Sequence, residues 1–128
     1  MRNRLIPYIY SAAYQTYLTG ITMVHPMYYK DFGSPQVFTY SEYRGPGYAI
    51  GYLFGDKIFV SPVTSPITQN GTSSFKDGIF LPTGEWYLGF NNSTVFSGSQ
   101  VHHLSFKDVE IPFFIKTGSV IPTKEYDD

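Results

Sequence analysis

The residues able to do acid–base or metal chemistry in this chain are ten carboxylates and three histidines, and cysteine is absent. Asp31, Glu42, Asp56, Asp77, Glu85, Asp108 and Glu110 lie in the body, with Glu125, Asp127 and Asp128 in the tail. Glycoside hydrolysis needs two carboxyl groups across one sugar linkage, one of them kept protonated by its surroundings. Most of these acids sit beside Gly, Lys or turn residues, where solvated roles are the default. Asp56 follows Gly55, Glu85 follows Gly84, and no spacing pairs any two of them. No catalytic residue is assigned.

Metal and nucleophile chemistry fare no better. His25 stands alone between Val24 and Pro26, while His102 and His103 are adjacent. In a strand such neighbours point to opposite faces, so they do not converge on an ion. The absence of cysteine removes disulfides, thiolate ligands and cysteine nucleophiles together. Gly45-Pro46-Gly47-Tyr48-Ala49-Ile50-Gly51 is one residue too long for a dinucleotide loop, and Pro46 removes a backbone donor. No Gly-x-Ser-x-Gly elbow is present. Neither a metal nor a cofactor is expected.

The elements that must position these residues follow from composition. A length of 128 residues is room for one ordinary domain, and 15% charged residues are too few for a charge-solvated, disordered chain. A net charge of -1 leaves no electrostatic footprint for nucleic acid. No apolar run approaches the roughly 20 residues that span a bilayer, so no membrane partner is expected. Met1-Arg2-Asn3-Arg4 opens loosely like a secretory leader, but Pro7 and the tyrosines at 8, 10 and 14 fit a structural helix better.

Aromatic residues make up 19% of the chain, and with 12 Gly and 9 Pro they suit a β-rich, turn-rich fold. Trp86, Tyr87 and Phe90 are the candidates for stacking on sugar rings. The competing reading is that alternating aromatics fill the gap between two sheets. Asn70-Gly71-Thr72, Asn91-Asn92-Ser93 and Asn92-Ser93-Thr94 are N-glycosylation acceptor patterns, a hint of a secretory compartment.

Residues 1–20 read as one helix. Leu5, Ile9, Ala12 and Ala13 follow one stripe, and Ile6, Tyr10, Ala13 and Tyr17 a neighbouring one. A helix apolar over most of its girth is normally clamped between two layers. Gly20 is a natural left-handed stop, and Pro7 predicts a kink or a helix restart.

Residues 21–128 read as an antiparallel β-sandwich, making the chain mainly β with one N-terminal α-helix. Residues 21–29 are extended and broken by Pro26, which suits an edge strand, and 31–47 read as loop. A turn at Gly55-Asp56 precedes the apolar run Ile58-Phe59-Val60, and residues 64–74 read as loop. Further strands are predicted over 75–81, 86–90, 101–106, 113–115 and 120–121. Turns are predicted at Pro82-Thr83-Gly84, Asn91-Asn92, Ser97-Gly98 and Thr117-Gly118.

Four ordered blocks carry a resemblance over nearly the whole chain. They are Arg4-Leu-Ile-Pro-Tyr-Ile-Tyr-Ser-Ala-Ala-Tyr with Met23-Val-His-Pro-Met, then Tyr52-Leu-Phe-Gly-Asp-Lys-Ile-Phe-Val-Ser-Pro-Val, then Phe80-Leu-Pro-Thr-Gly-Glu-Trp-Tyr, and last Ile111-Pro-Phe-Phe-Ile-Lys-Thr-Gly-Ser-Val-Ile-Pro. Together they resemble glycoside hydrolase family 31, retaining α-glucosidases and α-xylosidases built on a (β/α)8 barrel with β-sandwich appendages. The part matched resembles the last barrel helix and the proximal C-terminal sandwich.

The resemblance implies that the helix is left over from a barrel. It also implies that the missing catalytic barrel, in the same parent protein or a separate chain, is the partner through which α-linked carbohydrate is handled. The family's catalytic aspartates lie on earlier barrel strands, in a Trp-x-Asp-Met-Asn-like motif and a later acid/base segment that no position here matches. Inactivity of the isolated chain is therefore expected, along with an exposed apolar patch. His25 replaces the family's usual arginine, a change expected to remove a salt link between helix and sandwich. Gly51 replaces a common glutamine and Lys57 a common aspartate, and the loop from Arg44 to Gly47 looks longer than usual. The polar loop after Val63 is slightly more similar to the xylosidase-like branch. The alternative is a stand-alone carbohydrate-binding module using Trp86 and its neighbours.

Overall fold

Gly20 ends the first helix as a left-handed residue must. Its φ is 73°, and its N–H is donated to the Thr16 carbonyl at 2.9 Å. In the computed structural model, which describes residues 2–41, 51–62, 74–91, 93–106 and 111–125, helix α1 runs Ile6–Thr19 behind a 3-10 turn at Asn3–Leu5. Pro7 falls in the first turn of α1, where no intrahelical N–H bond is lost, so the expected restart is the junction between the two helix types.

The strands are short and antiparallel. Val24–Pro26 (β1), Tyr52–Phe54 (β2), Ile58–Val60 (β3), Glu85–Leu88 (β5), Val95–Ser97 (β6) and Phe113–Lys116 (β8) form one sheet in the order β1-β2-β3-β8-β5-β6. Ser74–Leu81 (β4) and Gln100–Phe106 (β7) form a second, two-stranded sheet. The β4–β7 register shifts between Lys76 and Ile79, with Gly78 at φ 79°, which marks a bulge. β1 lies at the sheet edge, where Pro26 costs no ladder bond.

Side-chain alternation builds three layers. Leu53, Phe59, Trp86 and Phe114 point from the larger sheet to meet Ile79, Leu81 and Phe106 of the smaller one. On the opposite face Ile58 and Val60 pack with Leu5 and Tyr8, and Tyr52, Phe54 and Phe113 join them. β3 is thus buried on both sides, which explains why it reads as a continuous apolar run. The sandwich supplies one core, and α1 lies across its back.

Several expectations need correction. Of the extended run expected over 21–29 only Val24–Pro26 is strand, and Met27–Tyr29 turns as a 3-10 helix with Met27 buried. Residues 31–47 were expected as loop but contain a short helix, Pro35–Ser41 (α2), anchored by buried Val37. Val120-Ile121 is not a strand: Ile121 packs on α1's cluster, and Lys124 N–H is donated to the Arg4 carbonyl at 2.9 Å. The strand expected over 86–90 ends at Leu88, and Phe90 lies in the turn beyond. The glycine loop 45–51, except Gly51, and the loop 64–74, except Ser74, lie outside the described residues, as do Asn70 and Asn92.

Candidate functional site

Two faces of α1 differ sharply in what covers them. On the inner face Leu5 and Tyr8 are buried, and Ile9, Ala12 and Thr16 are half-buried. Their spacing is that of one helical stripe. The Tyr8 hydroxyl donates to the Phe54 carbonyl at 2.6 Å and accepts the Lys57 N–H at 3.4 Å, so helix and β2–β3 turn share one bond pair. Gly55 lies directly beneath with φ 65°, and a Cβ there would meet the Tyr8 oxygen at 2.3 Å. Only glycine fits, on both conformational and steric grounds. Burial, reinforced by the Asp56 carboxylate, pushes the Tyr8 phenol up to about 12, with the backbone N–H groups of Lys57 and Ile58 opposing.

On the outer face Ile6, Tyr10, Tyr14, Tyr17 and Leu18 are all exposed, Tyr10 at 78% and Tyr17 at 83%. Tyr14 and Tyr17 stack on each other, centroids 6.3 Å apart, and both stay exposed. These positions recur at helical spacing, so they form a continuous apolar ridge without a formal charge. Isolated exposed apolar residues need no explanation, but a contiguous set of this kind marks an interaction face. The second sequence stripe, Ile6-Tyr10-Ala13-Tyr17, is this ridge, and the spacing of Tyr14 and Leu18 places them on it as well.

The candidates for sugar stacking do not form a platform. Trp86 is a core residue, 1% exposed, with its indole N–H donated to the Pro82 carbonyl at 2.8 Å and its ring against Phe59. Its ring offers no face to a sugar. Tyr87 is half-buried on the opposite face of β5, as strand alternation requires. Phe90 stays exposed in the turn, with Phe113 edge-on at 5.3 Å and the Arg4 guanidinium over its ring at 4.6 Å.

The titratable residues are dispersed. Asp31 accepts hydrogen bonds from the Thr83 N–H and hydroxyl, and Asp56 pairs with Lys30 at 3.1 Å on the surface. Both border a hollow of about 460 Å³, where they act as a loop tie and a surface ion pair. His102 bonds the Ser97 carbonyl at 2.7 Å, and exposed His103 points the other way. His25 is buried in β1 with Nδ1 2.8 Å from the Thr22 carbonyl. No cluster of three metal-ligating side chains occurs among the described residues. Glu42, Asp108, Glu110, Asp127 and Asp128 lie outside them.

Comparison with known proteins follows the same lines. A model of the glycosyl hydrolase family 31 C-terminal domain matches residues 20–121. An alpha-xylosidase of Saccharolobus solfataricus is 32% identical over 95% of this chain, and a probable alpha/beta-glucosidase of Aspergillus fumigatus 30% identical over 97%. The chain spans 15% and 13% of the length of those relatives. A Flavobacterium johnsoniae GH31 dextranase structure superposes with a TM-score of 0.73 at 26% identity, covering 94% of this chain and 13% of its own. The matching region is a small C-terminal part of much longer enzymes.

Proposed function

Because this chain belongs to glycosyl hydrolase family 31, we propose that it is the C-terminal structural part of a retaining α-glycosidase. On this reading residues 1–20 are the last helix of a (β/α)8 barrel, and residues 21–128 are the sandwich that buttresses it. The observation that carries the reading is the outer ridge of α1, Ile6-Tyr10-Tyr14-Tyr17-Leu18, which the sandwich leaves uncovered. Burying such side chains is worth roughly 1.5–3 kcal/mol each for those of Leu, Ile or Phe size. A barrel packed on that ridge gains this energy and fixes the helix from its far side.

The division of labour follows. Two carboxyl groups and a water hydrolyse an α-glycoside with no metal or cofactor, and the barrel supplies both groups from its strand ends. The sandwich contributes rigidity: α1 is tied to it through Tyr8 and Gly55, so the barrel's last helix is held in one orientation. Relatives named for xylosides, glucosides and dextran share this region. The sugar is therefore chosen elsewhere, and α-linked carbohydrate reaches the protein through the barrel.

Incubation of the purified 128-residue chain with chromogenic α-glucosides and α-xylosides tests the assignment. The expected rate equals the uncatalysed blank. Turnover abolished by substituting a carboxylate of this chain would overturn it. A saturable change in tryptophan emission with maltose or xylose oligomers would instead favour a free-standing carbohydrate-binding module.

A further inference from the structure

One end of the sandwich core holds two lysines that the larger sheet sets against each other. Lys116 closes β8, and its N–H is donated to the Lys57 carbonyl at 2.9 Å. That bond carries the β3–β8 ladder one step beyond the Ile58–Ile115 pair, so Lys57 and Lys116 stand directly opposite. Alternation puts both side chains on the face of Phe59 and Phe114, whereas Ile58 faces α1. Like charges in opposed positions on one face destabilise a strand pair. A Cβ on Gly84 would meet the Lys116 Cε at 3.3 Å, so the Lys116 stem lies across bare Gly84 backbone.

Nothing near these two ammonium groups balances them. Both lysines line the hollow of about 460 Å³, which the core residues Leu53 and Trp86 also border. Asp56 lines it too, but its carboxylate is paired with Lys30 at 3.1 Å. Asp31 accepts from the Thr83 N–H and hydroxyl. Among the described residues neither Lys57 nor Lys116 has an ion-pair partner. Three ammonium groups against two carboxylates leave the hollow one net positive charge, in a chain whose own net charge is -1. A cation would meet both free ammonium groups, and a neutral ligand would leave their repulsion in place. A multivalent oxyanion relieves it by accepting from both at once, in charge-assisted bonds about twice as strong as neutral ones.

We propose that this hollow binds a phosphate group, free or carried by a small molecule, with its oxygens accepting from the Lys57 and Lys116 ammonium groups. The volume falls within the roughly 300–1,000 Å³ of ligand clefts, so a phosphate monoester has room as well as the free ion. Two charge-assisted hydrogen bonds at a solvent-open site give a dissociation constant of roughly 1–10 mM. The site is independent of the docking reading, because α1 and its outer ridge lie on the other face of the larger sheet.

The test titrates sodium phosphate into the labelled full chain at about pH 8, where the ion is a dianion, and follows the Lys57, Lys116 and Gly118 amides by NMR. Sodium chloride holds the ionic strength constant, so general screening does not register. The expected result is a saturable shift confined to the residues of the hollow. Glycerol 2-phosphate forms a second arm: tighter binding than phosphate assigns the rest of the hollow to the organic part, and equal or weaker binding assigns the site to the free ion. Lys57→Gln and Lys116→Gln should each weaken binding about tenfold, while Lys124→Gln, outside the hollow, leaves it unchanged. Lys57→Asp turns the repulsion into an ion pair, so it should abolish phosphate binding and raise the unfolding midpoint in phosphate-free buffer. That variant keeps the test decisive if a glutamine variant fails to fold. Absence of a saturable shift, a shift centred elsewhere on the chain, or full binding retained by Lys57→Asp would overturn the proposal.

Discussion

Tyr8 and Tyr10 stand two residues apart on one helix and live in different worlds. Tyr8 is 5% exposed, bonded to the β2–β3 turn and set over a left-handed glycine where any Cβ would press on its hydroxyl, while Tyr10 is 78% exposed. The same residue type is covered by the sandwich on one side of the helix and left bare on the other. Helical phase decides which, since a step of two residues turns roughly 200° about the axis. The lesson is that apolar content announces interfaces, whereas phase tells which of them the chain satisfies by itself.

That contrast breaks most visibly by truncation. Tyr8→Ala is expected to destabilise the chain by about 3–5 kcal/mol, as for other buried aromatic-to-alanine changes, with Tyr10→Ala near zero. Urea unfolding of both variants checks this, and equal losses would erase the distinction between the faces. Gly55→Ala comes next, at about 2 kcal/mol or more, from the left-handed φ and the collision with Tyr8. Combining it with Tyr8→Ala should recover the steric part, leaving a smaller increment than either sum suggests.

Tyr8→Phe removes the hydroxyl and should cost about 1 kcal/mol. It also tests the ionisation. In the folded chain the phenol is pushed up to about 12 from its ordinary 10.0. The unfolded chain therefore loses its proton first, so stability is full below pH 10 and declines as pH rises from 10 to 12. Denaturation midpoints across that window should fall more steeply for wild type than for Tyr8→Phe. Smallest of all is Lys30→Met: the Lys30–Asp56 pair is exposed at both ends, and its loss should shift stability by less than about 0.5 kcal/mol.

The two faces were unequally legible in the sequence. The Gly20 stop, the Gly55-Asp56 turn and the doubly buried Ile58-Phe59-Val60 strand follow from local chemistry, because each depends on residues within a few positions. Helix α2 does not: seven residues are below the length at which a helix signals itself, and Gly33 and Pro35 read as loop punctuation. β6 was missed for the same reason, being three residues recognisable only by pairing with β5. Trp86 was ambiguous because a sandwich core and a sugar platform use the same aromatic alphabet, and only tertiary burial separates them. His25 stood out only as a departure from the family's arginine, and its burial beside Thr22 and Tyr29 is a tertiary outcome that a lone histidine does not announce.

The proposed place of this chain in a larger enzyme stands or falls on whether the outer ridge of α1 is an unfilled interface. Sedimentation of the purified chain, with hydrophobic-dye fluorescence recorded on the same samples, addresses this directly against a Tyr10→Glu/Tyr14→Glu/Leu18→Glu variant. The expected result is self-association and strong dye binding in the wild type, both lost in the variant, with the unfolding midpoint unchanged. A wild-type chain that stays monomeric and binds no dye would contradict it.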